Sequence, residues 1–239
     1  MTLLAIETAT DVCSVALMQG DRVTVELALR RPRAHAETLT PMIQQALRYG
    51  EVAPRDLDAV AVSSGPGSYT GLRIGVSTAK GLALAADVPL VAVPSLEALA
   101  ASVMAAPGEA ICALFNARRD EVYAVVFLVG QKNDTLERLT ETTALALDDL
   151  PTWLEAPTGT RLWLVGEGVP RALSVLEDRL ALRPLDPSVF VPAAASVARL
   201  ARPRLADGRV EDIACFEPFY LKEFVAKKPQ SSIFEKLPF

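Results

Sequence analysis

Histidine is almost missing from this chain: among 239 residues only His35 is one. That scarcity excludes a His-His metal pair and a His-Glu-x-x-His zinc helix. One imidazole suffices in principle for a Ser-His-Asp triad, yet no Gly-x-Ser-x-Gly nucleophile elbow occurs. Cysteine is scarce as well. Cys13, Cys112 and Cys215 are odd in number, widely spaced and set among apolar neighbours. They make no Cys-x-x-Cys pair and no disulfide framework, so a reduced, cytoplasmic setting is expected. No apolar run reaches membrane-spanning length, and Met1 leads directly into Leu3-Leu4-Ala5-Ile6 rather than a basic leader, so neither an anchor nor a signal peptide is expected. Positive charge is in deficit. Lys+Arg 24 against Asp+Glu 29 leaves −5, too acidic a balance for the chain to hold a nucleic acid alone. Arginine clusters at Arg30, Arg31 and Arg33, and at Arg199, Arg202 and Arg204, leave open a surface shared with partners. Magnesium binding by carboxylates alone is not excluded by these counts.

What is present is an ordinary globular balance, 51% hydrophobic and 22% charged. The length fits one large or two modest domains. Strands are expected at Leu3–Glu7, Val12–Leu17 and Arg22–Leu29, the last two joined by a Gly20-Asp21 hairpin turn. An amphipathic helix over Glu37–Tyr49 places Leu39, Met42, Ile43, Ala46 and Leu47 on one face and stops at Gly50. Pro41 falls in its first turns, where a missing N–H is best tolerated. A buried-type strand, Asp58–Ser63, runs into the glycine-rich turn Gly65–Gly71 and then a helix to about Ala86. Pro89–Val93 and Ser95–Met104 read as a strand and a helix.

After Ala106-Pro107-Gly108 the plan starts again. Strands are expected at Ile111–Phe115, Val122–Val129, Leu136–Thr143 and Leu162–Val165, and helices near Asp148–Glu155, Ala172–Leu180 and Ala194–Leu205. Two copies of a β-β-β-α-β-α order, offset by about 108 residues, imply an internal duplication. Each half then forms a mixed five-stranded sheet flanked by helices. Two such lobes facing one another describe the actin-like fold, the ASKHA class with RNase H-like lobes, in which nucleotide is gripped between hairpin turns of both halves. The expected division is 1–107, 108–215, and a tail over 216–239 that packs back on the first lobe or adds to an interface.

The two gripping turns are Thr8–Asp11 and Asn116–Arg119. The first offers Glu7, Thr8, Thr10 and Asp11 but no glycine; the second offers Arg118 and Arg119 but Asn116 where an acid would serve magnesium. A hydrogen-bonded tight turn at Thr8 and Thr10 is the simpler reading. Gly65–Gly71 precedes a helix and invites a phosphate. It is no P-loop, because no Gly-Lys-Ser/Thr follows, and its spacing departs from Gly-x-Gly-x-x-Gly. In the following helix Gly71, Gly75, Ala79 and Ala83 recur every four residues, a side-chain-poor stripe. Glycine inside a helix costs about 1 kcal/mol against alanine, so close approach of another backbone is expected, from the protein's own sheet or another subunit. His35 is expected as a polar cap or exposed residue, and Tyr69 as packed over its turn or part of a contact surface.

Leu4-Ala5-Ile6-Glu7-Thr8-Ala9-Thr10, Cys13-Ser14-Val15-Ala16-Leu17 and His35-Ala36-Glu37 with Leu39-Thr40-Pro41-Met42-Ile43 resemble the bacterial TsaB family, also called YeaZ. The block Gly65-Pro66-Gly67-Ser68-Tyr69-Thr70-Gly71-Leu72-Arg73-Ile74-Gly75-Val76, with Thr78–Ala83, is the most specific part. Pro94–Ala100, Ala117–Tyr123 and Pro218–Lys222 continue it more sparsely. Asn116 departs from the Asp common in the family, which speaks further against a metal-nucleotide site, and Ala36 stands where Ser is common.

The resemblance implies an actin-like fold and a part in forming threonylcarbamoyladenosine at position 37 of tRNAs reading codons that begin with A. It implies a non-catalytic scaffold for the transferase TsaD, with the small ATPase TsaE joining and tRNA reached only through the complex. It also implies no cofactor of the chain's own and self-association when the partner is absent. The family's docking face carries over onto Leu39, Met42, Ile43, Leu72, Ile74, Gly75, Val76, Thr78 and Ala79. The alternative is an ATP-dependent transferase working in the interlobe cleft through Thr8, Thr10, Asp11 and Arg118. The family's peptidase label finds no nucleophile or metal site in the sequence.

Overall fold

The computed structural model describes residues 1–117, 120–131, 135–154, 161–176 and 182–222. In the first half, β1 (Thr2–Glu7), β2 (Val12–Gln19) and β3 (Arg22–Arg30) form an antiparallel meander. Helix α1 (His35–Tyr49) and a 3₁₀ turn (Pro54–Asp56) lead to β4 (Ala59–Ser63), helix α2 (Tyr69–Ala86), β5 (Leu90–Val93) and helix α3 (Ser95–Ala100). The sheet order is β3-β2-β1-β4-β5, with β4 and β5 parallel to β1.

Strand β1 lies at the centre, which is why Leu3, Leu4, Ala5 and Ile6 form an unbroken apolar run. Leu4 and Ile6 join Val15, Leu17, Val60 and Val62 beneath α1 and α2. Leu3 and Ala5 join Ala16, Met18, Ala59 and Ala61 on the other face, beneath helix α6 (Ala194–Ala206). Ala194, Ala195, Ala198 and Ala201 of that helix meet the sheet's own alanines, so small residues on both sides bring helix and sheet close. The contacts of α6, a helix late in the chain, are thus with the first-half sheet.

The second half contains β6 (Ala110–Asn116), β7 (Glu121–Val129), β8 (Leu136–Arg138), β9 (Thr143–Ala146), a 3₁₀ turn (Leu147–Asp149), α4 (Leu150–Trp153), β10 (Leu162–Val165), α5 (Val169–Leu173) and β11 (Leu182–Pro184). Its sheet runs β11-β10-β6-β7-β8, with β9 also paired to β7. Position by position this repeats the first sheet: an antiparallel start about β6, then two parallel strands. The duplicated actin-like arrangement follows.

Three details of the second half differ from expectation. The single strand expected over Leu136–Thr143 is two, and these with β11 make six strands where a five-stranded sheet was expected: β8 pairs Phe127–Val129 and β9 pairs Glu121–Ala124. Between them the Val126 amide donates to Thr140 Oγ1 at 2.9 Å, so a side chain takes over from the strand ladder. Strand β11 was not expected, because Leu-Arg-Pro carries little strand signal and proline is tolerated only at an edge. The helices expected over Asp148–Glu155 and Ala172–Leu180 are short pieces, α4 and α5, among the described residues.

Helix α1 buries Leu39, Ile43, Ala46 and Leu47 and ends at Gly50 as expected, but it starts two residues earlier. His35 is therefore its first helical residue and is 6% exposed, not a surface cap. Ala34 occupies the cap position, where its carbonyl accepts Thr38 Oγ1 at 2.9 Å.

Candidate functional site

The end of β1 carries Glu7 into the core between β1 and β4. Glu7 is fully buried; its Oε1 accepts the Ala9 amide at 2.6 Å and Ser63 Oγ at 3.0 Å. Its Oε2 has no hydrogen-bond partner among the described residues. Burial disfavours the charged form and outweighs these hydrogen bonds, so the carboxyl is pushed up to about 7. In the turn that follows, Thr10 Oγ1 accepts the Val12 amide at 3.3 Å, the tight-turn role expected of it. Thr8 does otherwise: its Oγ1 is buried with no partner among the described residues, and it lies under Gly75 of α2.

That contact explains the small-residue stripe. A Cβ on Gly75 would collide with Thr8 Oγ1, and one on Gly71 with the Thr8 carbonyl. The close partner of the stripe is the protein's own β1 turn. The glycine-rich loop is used internally too. The Gly65 amide donates to Ser95 Oγ at 3.0 Å, the Ser68 amide to the Ala9 carbonyl at 2.7 Å, and the Gly71 amide to Ser68 Oγ at 3.3 Å. Amides committed in this way do not form a ready phosphate cradle, and Gly67 is small because Ala9 sits against it. The phosphate reading of Gly65–Gly71 is corrected accordingly.

Across the interlobe cleft the second gripping turn does face the first. Thr10, Asp11, Gly67, Ser68 and Tyr69 line a cavity of about 330 Å³ together with Asn116, Ala117, Tyr123 and Glu167. Asn116 holds Glu167: its amide donates to Glu167 Oε1 at 3.3 Å and its Nδ2 to the Glu167 carbonyl at 3.1 Å. Loss of hydration, and then the nearby charge of Asp11, push the Glu167 carboxyl upward against that amide hydrogen bond. A neighbouring cavity of about 440 Å³ shares Thr10, Asp11 and Glu167. Two acids, Asp11 and Glu167, thus line the cavity, with Lys222 as the cation among its described lining residues. Arg118, expected to supply it, lies outside the described residues, and among the described residues no group of three His, Cys, Asp or Glu is placed to hold a metal. The single imidazole is buried at the start of α1, its Nε2 without a hydrogen-bond partner among the described residues. It activates no nucleophile through that nitrogen.

Of the residues expected to dock a partner, Leu39, Ile43, Val76 and Ala79 belong to the first lobe's core. Leu72 is buried in a cluster joining the lobes, and Gly75 is covered by Thr8. Met42, Ile74 and Thr78 are part-exposed. The outward face of α2 carries Arg73, Ser77, Gly81 and Leu84, the last 72% exposed, and Gly81 has open space where a Cβ would sit.

Glu167 and Tyr123 were not expected in the site. Gly166-Glu167-Gly168, an acid between two glycines just after a strand, was the available signal. Gly166 has φ 109°, and a Cβ there would strike the Leu114 carbonyl, so the turn needs glycine to bring Glu167 against β6.

Comparison with known proteins agrees with this geometry. The family model described as "TsaD: tRNA N6-adenosine threonylcarbamoyltransferase" matches residues 30–229. The tRNA threonylcarbamoyladenosine biosynthesis protein TsaB of Escherichia coli is 32% identical over 239 residues, 95% of this chain and 97% of that protein. TsaB of Bacillus subtilis is 39% identical over 155 residues, 65% of each chain. The solved structure of YeaZ from Pseudomonas aeruginosa superposes with a TM-score of 0.81 at 32% identity, covering 92% of this chain and 99% of that one. With 95% of its length matched at 32% identity and both halves of its fold superposed, the chain belongs to the TsaB (YeaZ) family.

Proposed function

We propose that this chain acts in the formation of tRNA threonylcarbamoyladenosine as a non-catalytic scaffold for a TsaD-type transferase. One observation carries the reading: the cleft that would hold nucleotide in an active actin-like enzyme is engaged with itself. The Ser68 amide is committed to Ala9, Thr10 to Val12 and Asn116 to Glu167. Lys222, the cation among the described lining residues, is paired with Glu121. The same committed amides and hydroxyls, not the acids, oppose the alternative, an ATP-dependent transferase.

In this reading the first lobe, residues 1–107, docks TsaD through the outward faces of α1 and α2. The second lobe starts at 108 and is built on the sheet of β6–β11, whereas α6 and the segment from Glu211, expected within 108–215, pack on the first lobe; 216–239 is the tail. Arg73, Ile74, Ser77, Thr78 and Gly81 present a shallow surface onto which a partner helix fits closely, with Leu84 adding apolar area at roughly 25 cal/mol per Å². Alone, the chain pairs with itself over this face; TsaE joins the heterodimer, and tRNA is met by the assembled complex in the cytoplasm.

Light scattering on the purified chain, alone and mixed with TsaD from the same source, tests the reading. A lone dimer that exchanges into a one-to-one heterodimer is expected, and Gly81→Arg blocks both pairings while leaving the circular dichroism melt intact. A monomer that ignores TsaD overturns it.

A further inference from the structure

The last described segment crosses from one lobe to the other. After α6 the Glu211 amide donates to the Leu90 carbonyl at 2.8 Å, adding a bridge to the edge of β5. Ile213 and Phe216 pack against the core beneath α1 and α2, and Lys80 Nζ donates to the Ala214 carbonyl at 3.3 Å and the Phe216 carbonyl at 2.9 Å. Further on, the Phe219 amide donates to the Ser64 carbonyl at 2.7 Å. The Phe219 carbonyl lies so close to Gly65 that a Cβ there would collide with it.

Beyond Phe219 the contacts change character. The Tyr220 ring lies on Tyr69, centroids 4.8 Å apart, with the Arg73 guanidinium 5.5 Å from the Tyr69 ring. Tyr220 also packs against the cluster in which Leu72 and Leu99 of the first half meet Phe115 and Val125 of the second. Lys222 pairs with Glu121 at the start of β7, on the opposite lobe. Phe219 to Lys222 line the cleft throughout.

We propose that Glu211–Lys222 is an interlobe latch, whose Tyr220 and Lys222 end fixes how far the cleft opens. Its near end is fastened to the first lobe by backbone hydrogen bonds and buried side chains, so it moves with that lobe. Its far end is held to the second lobe by one ring packed at the seam and one ion pair whose side chains are 34% and 30% exposed. An ion pair of that exposure is weak, which makes this the releasable end. Rotation of the second lobe away from the first draws Glu121 off Lys222 and uncovers Tyr220. The latch therefore acts where bound nucleotide would otherwise tie two such lobes together. The inference concerns the isolated chain and does not rest on the scaffold reading.

Pulsed electron paramagnetic resonance measures the opening directly. Spin labels go on Arg22→Cys at the start of β3 and Ser174→Cys beyond α5, both exposed, in the full chain with Cys215→Ser diluted into excess unlabelled chain so that only the distance within one chain is read; Cys13 and Cys112 are buried. The parent gives one narrow distance distribution. Lys222→Glu shifts it to longer distance and broadens it, and adding Glu121→Lys to that variant restores the parent distribution. If Lys222→Glu unfolds the chain, Lys222→Met and Tyr220→Ala provide the same reading. An unchanged distribution in the folded variants, or failure of the charge swap to restore it, overturns the latch.

Discussion

Ser63 Oγ donates to Glu7 Oε1 at 3.0 Å, joining the parallel strands β1 and β4 through a carboxyl with no exposure to solvent. A carboxyl so placed prefers its neutral form, and burial raises Glu7 to about 7. The folded chain then binds more protons than the unfolded one between about pH 4.5 and 7. Stability therefore falls as pH rises through that window and levels off above it. The loss amounts to about 3 kcal/mol at most. Glu7→Gln keeps an acceptor for Ser63 and Ala9 without a charge, and it removes this slope. Urea denaturation of both proteins from pH 5 to 8 checks it; parallel slopes would count against the buried proton.

The neighbouring Thr8 hydroxyl is buried and without a partner among the described residues, an arrangement that costs free energy. Valine has almost the same shape and nothing to satisfy. Thr8→Val is expected to stabilise the chain by about 1 kcal/mol, read as a higher urea midpoint with unchanged slope.

Glu97 of α3 and Arg204 of α6 pair at 2.6 Å with side chains only 16% and 14% exposed, fastening the late helix to the first lobe. Arg138 adds a longer contact to Glu97 at 3.7 Å. Removing the carboxylate leaves Arg204 nearly buried without its counter-charge. Glu97→Gln is therefore expected to cost about 3 kcal/mol. Arg204→Met in the same chain recovers most of that loss, because the stranded charge is then gone. A double-mutant cycle by denaturant melts gives the coupling directly.

The first sheet was legible because its signals are local. An apolar run marked β1, alternation through Val23, Val25 and Leu27 marked β3, and Gly50 ended α1, whereas the central place of β1 and the edge place of β3 came only with the sheet. The placement of α6 was not legible, since an alanine-rich helix announces a small-sided face but not which sheet it covers. Strand β11 was hidden by its proline. In the site, the two facing turns followed from the duplication. The burial of Glu7, the hold of Asn116 on Glu167 and the path of Glu211–Lys222 depend on long-range contacts that no local pattern encodes. The stripe of Gly71, Gly75, Ala79 and Ala83 gave a close approach but not its partner; small residues report a distance, not an identity.

Two glycines of α2 separate these meanings. Gly75 faces the Thr8 side chain and has no room for a Cβ, whereas Gly81 faces open space. Gly75→Ala must displace the β1 turn, and a loss of about 1–3 kcal/mol is expected. Gly81→Ala removes a helix-interior glycine with no steric consequence and is expected to gain about 1 kcal/mol. An interface test at position 75 therefore confounds docking with folding, since a bulky side chain there disturbs the cleft floor before it meets any partner. The same substitution at position 81 alters only the outward face. Urea melts of the two alanine variants give opposite signs if α2 is oriented as described. Equal signs would mean that the stripe, not the outward face, is the surface α2 presents.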